Sequence, residues 1–279
     1  MKKVLFAVLA MILVVTGVVG LTACGGSDEI VVYTNAYFAP FEYYKGTEIA
    51  GVDIDIMNKV AEKMGKTVKF VNTDFAAIIP AVQEGKVCDA GAAGITVTDE
   101  RAAKVDFSTK YYTSVQYVIY KKGDANFATQ TANDGKTMVT WDQLKGKKIG
   151  VQLDTTGNIY VQGEIDGVDF DGVLKDSGAE CKPYDSAQLA AEAIGTNLDC
   201  VVVDELPAQF IASKNAGKYE CAALYYDADT ATEEQYAICV TKGNTELLNA
   251  INEVLAEMMV KGSDGQSEID KLVAKHLGL

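Results

Sequence analysis

Asp53-Ile54-Asp55-Ile56-Met57-Asn58-Lys59-Val60-Ala61-Glu62-Lys63-Met64, followed by Gly65, decides how this chain is built. Ile54, Met57, Val60, Ala61 and Met64 recur at helical spacing. Gly65 then stops the helix, because glycine accepts the left-handed backbone on which helices end. Upstream, Ile30-Val31-Val32-Tyr33-Thr34 reads as a strand, and downstream Val68-Lys69-Phe70-Val71 reads as another. A helix over residues 76–83 and a short strand over 87–90 follow. Strands alternating with helices imply an α/β fold: a mostly parallel sheet with helices on its faces.

Further out the pattern restarts. Residues 148–152 read as a strand, 156 onward as a helix, 181–184 as a strand, 186–194 as a helix and the apolar 200–203 as a strand. Gln83-Glu84-Gly85-Lys86-Val87 and Ile194-Gly195-Thr196-Asn197-Leu198 have similar helix–break–strand character, which fits two similar lobes. Residues 116–120 and 235–240 read as extended segments able to cross between lobes. Residues 124–140 are polar and loop-like, and 247–259 and 268–276 read as closing helices.

The chain has 279 residues, 48% hydrophobic and 23% charged, with a net charge of −14. That composition is globular. The acidic balance argues against nucleic acid as a partner, since such binding needs basic patches to replace counterions. His276 is the one histidine, which excludes a His-based triad or a multi-His metal site. No catalytic residue, metal or cofactor is expected. Lys2 and Lys3 precede an uncharged run over residues 4–21, which ends in Leu21-Thr22-Ala23-Cys24. A basic start, an apolar middle and small residues before a cut describe an export signal. Leu-x-Ala-Cys resembles the bacterial lipoprotein signal, in which the chain is cut before the cysteine and Cys24 is acylated. Residues 1–23 are then the signal peptide and 24–29 a short tether. Losing Lys2 and Lys3 and no acid deepens the charge from −14 to −16. Cys88, Cys181, Cys200, Cys221 and Cys239 remain, an odd number with no CxxC spacing, so at least one thiol stays unpaired.

Chemistry concentrates at three turns. In Gly94-Ile95-Thr96-Val97-Thr98-Asp99-Glu100-Arg101, Thr98 is a good N-cap and the two acids suit a first helical turn. Arg101, the only arginine in the chain, does not, because the positive end of the helix dipole disfavours a cation. A guanidinium there offers a planar fork for a carboxylate. The alternative is a surface arginine paired with Asp99 or Glu100. Asp154-Thr155-Thr156-Gly157-Asn158 puts hydroxyls and backbone donors at a strand-to-helix turn, which suits an anion or an ordinary cap. Val203-Asp204-Glu205 puts a carboxylate at the C-terminal end of a buried strand, where open α/β sheets place ligands. Asp204 there either accepts hydrogen bonds from an ammonium or caps a helix. Tyr37, Phe38, Phe41 and Phe75 are candidate pocket aromatics, with Phe41 assigned to the core.

Taken in order, these residues resemble the polar amino-acid binding proteins of ABC importers, family 3 of the bacterial extracellular solute-binding proteins. The resemblance runs through Ala39-Pro40-Phe41-Glu42-Tyr43, Gly51-Val52-Asp53-Ile54-Asp55, Asp74-Phe75, Ile78-Ile79-Pro80 and Gly85-Lys86. It continues in Thr96-Val97-Thr98-Asp99-Glu100-Arg101, Val105-Asp106-Phe107-Ser108, Tyr111-Tyr112, Leu144-Lys145-Gly146-Lys147-Lys148, Val203-Asp204 and Tyr236-Ala237-Ile238. It implies a two-lobed, type II periplasmic-binding-protein-like fold with ligand in the interlobe cleft. Residues 30–113 and 235–279 would form one lobe, and 114–234 the other. It also implies that Arg101 grips the α-carboxylate of an L-amino acid, helped by the backbone of Thr96 and the turn at Thr155 and Thr156. Asp204, the Gly94 carbonyl and the Thr96 hydroxyl would take the α-ammonium. Phe38 and Phe75 would sandwich the side chain, and Asn35 would test its tip. Implied partners are the amino acid, an ABC permease and, through Cys24, the membrane; the protein would be a monomer outside the cytoplasm. Two departures pull in opposite directions. Asp154 stands where the family often has glycine, and Asn35 where several binders of basic amino acids have aspartate, so the side-chain preference stays open. Rival readings are a cyclohexadienyl (arogenate or prephenate) dehydratase-like enzyme using Glu42 or Glu205, and a ligand-sensing lipoprotein that does not transport.

Overall fold

The computed structural model describes residues 28–168 and 170–278. The export segment 1–23 and Cys24 lie outside the described residues. Among those described, no helix is long and apolar enough to cross a membrane.

The helix read from residues 53–64 forms as Val52–Met64, and Gly65 ends it with a left-handed φ of 64°. Its apolar stripe packs on the first sheet. That sheet runs in the order Thr67–Asn72, Glu29–Thr34, Ala90–Gly91, Cys239–Val240, Asp106–Phe107, and its first three strands are parallel. Side chains alternate faces along a strand. Ile30 and Val32 therefore meet Ile56, Met57 and Val60, while Val31 and Tyr33 meet Ile78 and Val82 of the helix Phe75–Glu84. A three-stranded meander, Tyr37–Phe38, Glu42–Lys45 and Glu48–Ala50, sits beside this sheet. Its return at Gly51 is open only to glycine, because a Cβ there would stand 1.9 Å from the Phe41 carbonyl oxygen.

The second sheet runs in the order Glu180–Tyr184, Lys148–Gln152, Cys200–Asp204, Tyr112–Lys121, Tyr219–Tyr225, Thr137–Thr140, Gln130–Thr131. Lys148–Gln152 is parallel to both its neighbours. Val201 and Val203 face Ala190, Leu206 and Ile211, while Cys200 and Val202 face Leu144, Val161 and Trp141. The two sheets make two lobes. Glu233–Tyr236 pairs antiparallel with the start of Tyr112–Lys121, Glu233 opposite Val115 and Tyr236 opposite Tyr112.

Three expectations need correction. Residues 116–120 are not a crossing segment: they lie inside the second sheet, between Cys200–Asp204 and Tyr219–Tyr225. Residues 124–140 are not all loop, because Thr137–Thr140 is a strand whose Met138 and Val139 are buried. The strand expected over 87–90 begins only at Ala90, with Val87 exposed. Cys88, Cys181, Cys200, Cys221 and Cys239 are all free thiols. Phe41 is fully buried in the core, as assigned.

Candidate ligand-binding cleft

The turn that carries Arg101 is fixed from below and from within. Gly94 adopts a φ of 53°, and a Cβ there would lie 2.6 Å from the Phe38 ring. Its N–H donates to Asp53 Oδ2 at 2.9 Å, and Tyr111 donates to Asp53 Oδ1 at 2.5 Å. Burial pushes Asp53 up to about 6, although both hydrogen bonds oppose the rise. Four residues beyond Gly94, Thr98 caps the short helix Asp99–Ala102, its hydroxyl accepting from the Arg101 N–H at 3.2 Å.

The Arg101 side chain turns inward rather than along its helix. It is 7% exposed. Nη1 donates to the Thr96 carbonyl at 2.8 Å and Nη2 to the Asp154 carbonyl at 2.6 Å. The guanidinium lies 5.4 Å from the centre of the Phe75 ring. The surface-pair alternative fails, since Glu100 pairs with Lys104 instead, at 2.7 Å. Asp154 holds a φ of 61°, the left-handed region that glycine favours, and this conformation aims its carbonyl at Arg101. Next to it Thr155 caps the helix Thr156–Asp166, accepting from the Asn158 N–H at 3.4 Å.

Asp204 ends the strand Cys200–Asp204 and is 4% exposed. It occupies the N-cap position of the next helix, but its side chain does not cap it. The carboxylate turns to other partners. Gln116 Nε2 donates to Oδ1 at 2.8 Å, and the Tyr236 hydroxyl donates to Oδ2. The same Gln116 nitrogen donates to Glu234 Oε1 at 2.5 Å, while the Thr96 hydroxyl donates to Glu234 Oε2 at 2.6 Å. Burial pushes Asp204 above its ordinary value, and burial together with the Asp204 charge pushes Glu234 well above its own.

These groups converge on one cavity. Asn35, Phe38, Phe75, Gly94, Thr96, Thr155, Thr156 and Asp204 line it, joined by Gln152, and about 10 Å³ is enclosed. That is room for about one water molecule, so the cleft is closed. Hydrogen bonds span it: Arg101 to the Asp154 carbonyl, Gln152 Nε2 to Asn35 Oδ1 at 3.0 Å, Thr96 to Glu234 and Tyr236 to Asp204. Arg101 is the one candidate that does not line the cavity; it stands behind Thr96. A larger cavity of about 190 Å³ lies between the meander and the second lobe, lined by Tyr37, Tyr43, Tyr44 and Phe210 among others, with no charged group.

Gln152, Gln116, Glu234 and Tyr236 escaped the reading of the sequence as site residues. Only the tyrosine, inside Tyr236-Ala237-Ile238, lay in a motif it used. Neither acid proposed for a dehydratase lines the cavity. Glu205 is paired with Lys136 at 3.2 Å. Glu42 is fully buried and lacks a hydrogen-bond partner among the described residues, and burial, with the charges of Asp53 and Asp204, holds it well above the usual carboxylate range.

The family model of the bacterial extracellular solute-binding proteins, family 3, matches residues 30–278. An L-arginine-binding protein of Pseudomonas aeruginosa is 30% identical over 218 residues, 77% of this chain and 76% of that protein. A probable histidine-binding protein of Campylobacter jejuni is 28% identical over 226 residues, 81% of this chain and 77% of that one. Among solved structures, an ancestral arginine-binding protein bound to arginine superposes with a TM-score of 0.71 at 34% identity, covering 89% of this chain and 97% of that one. The chain belongs to the bacterial extracellular solute-binding proteins, family 3.

Proposed function

We propose that this chain is a lipoprotein, anchored outside the cytoplasm through Cys24, that captures an L-amino acid and presents it to an ABC permease. One observation carries the reading: a lone buried guanidinium and a buried strand-end carboxylate flank a single small cavity lined by eight of the nine candidate residues. Residues 30–113 and 235–279 act as one lobe and 114–234 as the other, and the protein works as a monomer. The α-carboxylate takes the Arg101 fork, displacing the Asp154 carbonyl from Nη2, with donors from the turn at Thr155 and Thr156. The α-ammonium takes Asp204, the Thr96 hydroxyl and the Gly94 carbonyl. Phe38 and Phe75 enclose the side chain, and Asn35 with Gln152 meets its tip.

An amino acid is larger than the enclosed space, so the lobes part to admit it and close again around it. Arg101 and Asp204 belong to different lobes, so ligand binds the closed state better than the open one, and that difference drives closure. Exclusion of water strengthens both charge contacts. The relatives' arginine and histidine make basic amino acids the first candidates for the side chain. A thermal-shift screen against the common amino acids and cystine tests this. A ligand at a hundredfold excess over its Kd adds ~2.7 kcal/mol of stability. A flat screen, confirmed by calorimetry, rejects the reading. Loss of amino-acid uptake on deleting the gene separates transport from sensing.

A further inference from the structure

Asp204 and Glu234 share more than a neighbourhood. One Gln116 nitrogen bridges them, at 2.8 Å and 2.5 Å. Both carboxyl groups thus reach the same nitrogen, and two bare carboxylates held that close repel each other, which favours a proton on one of them. The remaining oxygens are taken by Tyr236 on Asp204 and Thr96 on Glu234. Both residues are 4% exposed, so water does little to screen one from the other.

The groups facing the pair are mostly acids, and like charges nearby help to hold a proton on it. Glu42 and Asp53 are fully buried nearby, and both carry raised values. Tyr111 is occupied by Asp53, and Tyr160 senses both members of the pair. Among the described residues the cation that faces them is Arg101, and its fork is spent on the Thr96 and Asp154 carbonyls. Four buried carboxyl groups thus stand against one guanidinium. Protons keep the closed cleft from holding that whole negative charge.

We propose that Glu234 is a positioning and selecting residue of this cleft: it forms with Asp204 a two-carboxyl acceptor that exchanges its shared proton for the ammonium of the ligand. This rests on the amino-acid reading given above. As the ammonium reaches Asp204, the proton leaves Glu234 for solvent and the pair passes from one negative charge to two. The new charge faces the incoming positive one, so a single proton is released for each ligand bound. Glu234 also orients Thr96. The threonine's only hydroxyl proton is directed at Glu234 Oε2, which leaves its lone pairs to accept from the ligand. An ammonium fits such an acceptor, and a neutral or N-blocked amine does not.

The test is calorimetry of the full chain with whichever amino acid the screen selects, at pH 6, in buffers of differing ionisation enthalpy, and then from pH 5 to 8. The observed heat should vary with the buffer by the amount for one released proton. Kd should rise toward about tenfold per pH unit on acidification. Glu234→Gln should bind more weakly, with heats independent of buffer and a flat pH profile. Wild-type binding without proton release overturns the proposal and leaves the amino-acid reading standing. The same release persisting in Glu234→Gln also overturns it. If that variant does not fold, the wild-type buffer series decides alone. If no amino acid binds at all, the functional reading falls and the proposal with it.

Discussion

The two walls of the cleft solve opposite problems. The Arg101 wall holds one cation, and backbone carbonyls hold that cation in turn. The Asp204 wall holds an excess of acid, and side chains hold it: an amide, a phenol and a hydroxyl. Backbone acceptors cannot titrate, so the guanidinium keeps its charge and aim at any ordinary pH. Side-chain acceptors can, so the opposite wall has a charge that depends on pH and on what is bound. One wall is a fixed clamp and the other an adjustable one.

Removing the clamp should have the largest effect. Arg101→Ala is expected to weaken amino-acid binding by about 3–5 kcal/mol, the range for orphaning one partner of a buried pair. Calorimetry giving near-wild-type affinity would mean that the carboxylate is not held at this wall. Asp53 comes next, since it braces the Arg101 turn through Gly94. Its folded value of about 6 exceeds the ordinary 3.8, so between those values the native state holds more protons than the unfolded chain. Its contribution is therefore most favourable below pH 4 and is lost as pH rises through 6, by on the order of 3 kcal/mol. Asp53→Asn should make urea stability less sensitive to pH over that window by one proton. An unchanged slope would show that Asp53 does not titrate there. On the adjustable wall, Asp204→Asn keeps one acceptor oxygen and should cost roughly 1.5–3 kcal/mol of binding, the scale of a charged hydrogen bond. Unchanged binding with normal circular dichroism would remove Asp204 from the site.

The same contrast governs what could be read in the sequence. The frame was legible because its signal is local: residues 53–64 repeat at helical spacing whatever they pack against. The strand Thr137–Thr140 was not, because two apolar residues in a polar stretch make no periodic pattern, and only the neighbouring strand Tyr219–Tyr225 explains their burial. The fixed clamp could be found because an arginine at the start of a helix violates a local rule. The adjustable wall was only half legible. Asp204 ends an apolar run, but Glu234 follows Glu233 and precedes Gln235, and such a stretch reads as a solvated surface. Its burial comes from pairing opposite Ser114 on the strand Tyr112–Lys121, a contact 120 residues away in the chain. Gln152 likewise ends its strand as a plain polar residue until the lobes close on Asn35.

The smallest expected effect separates the walls most cleanly. Thr98 caps the helix Asp99–Ala102, and the N–H it accepts from is that of Arg101 itself. A lost cap ordinarily costs about 1 kcal/mol. In a four-residue helix that loss falls on the backbone from which the guanidinium projects, so Thr98→Ala should lower ligand affinity as well as melting temperature, each by about that amount. Thr98→Ser restores the hydroxyl and should restore both. Asp204 sits at the N-cap position of its own helix without making the capping bond, so the adjustable wall has no equivalent lever. If Thr98→Ala lowered stability while leaving affinity untouched, the guanidinium would be aimed by its carbonyl partners alone. The clamp would then be fixed by the Thr96 and Asp154 backbone rather than by the turn that carries it.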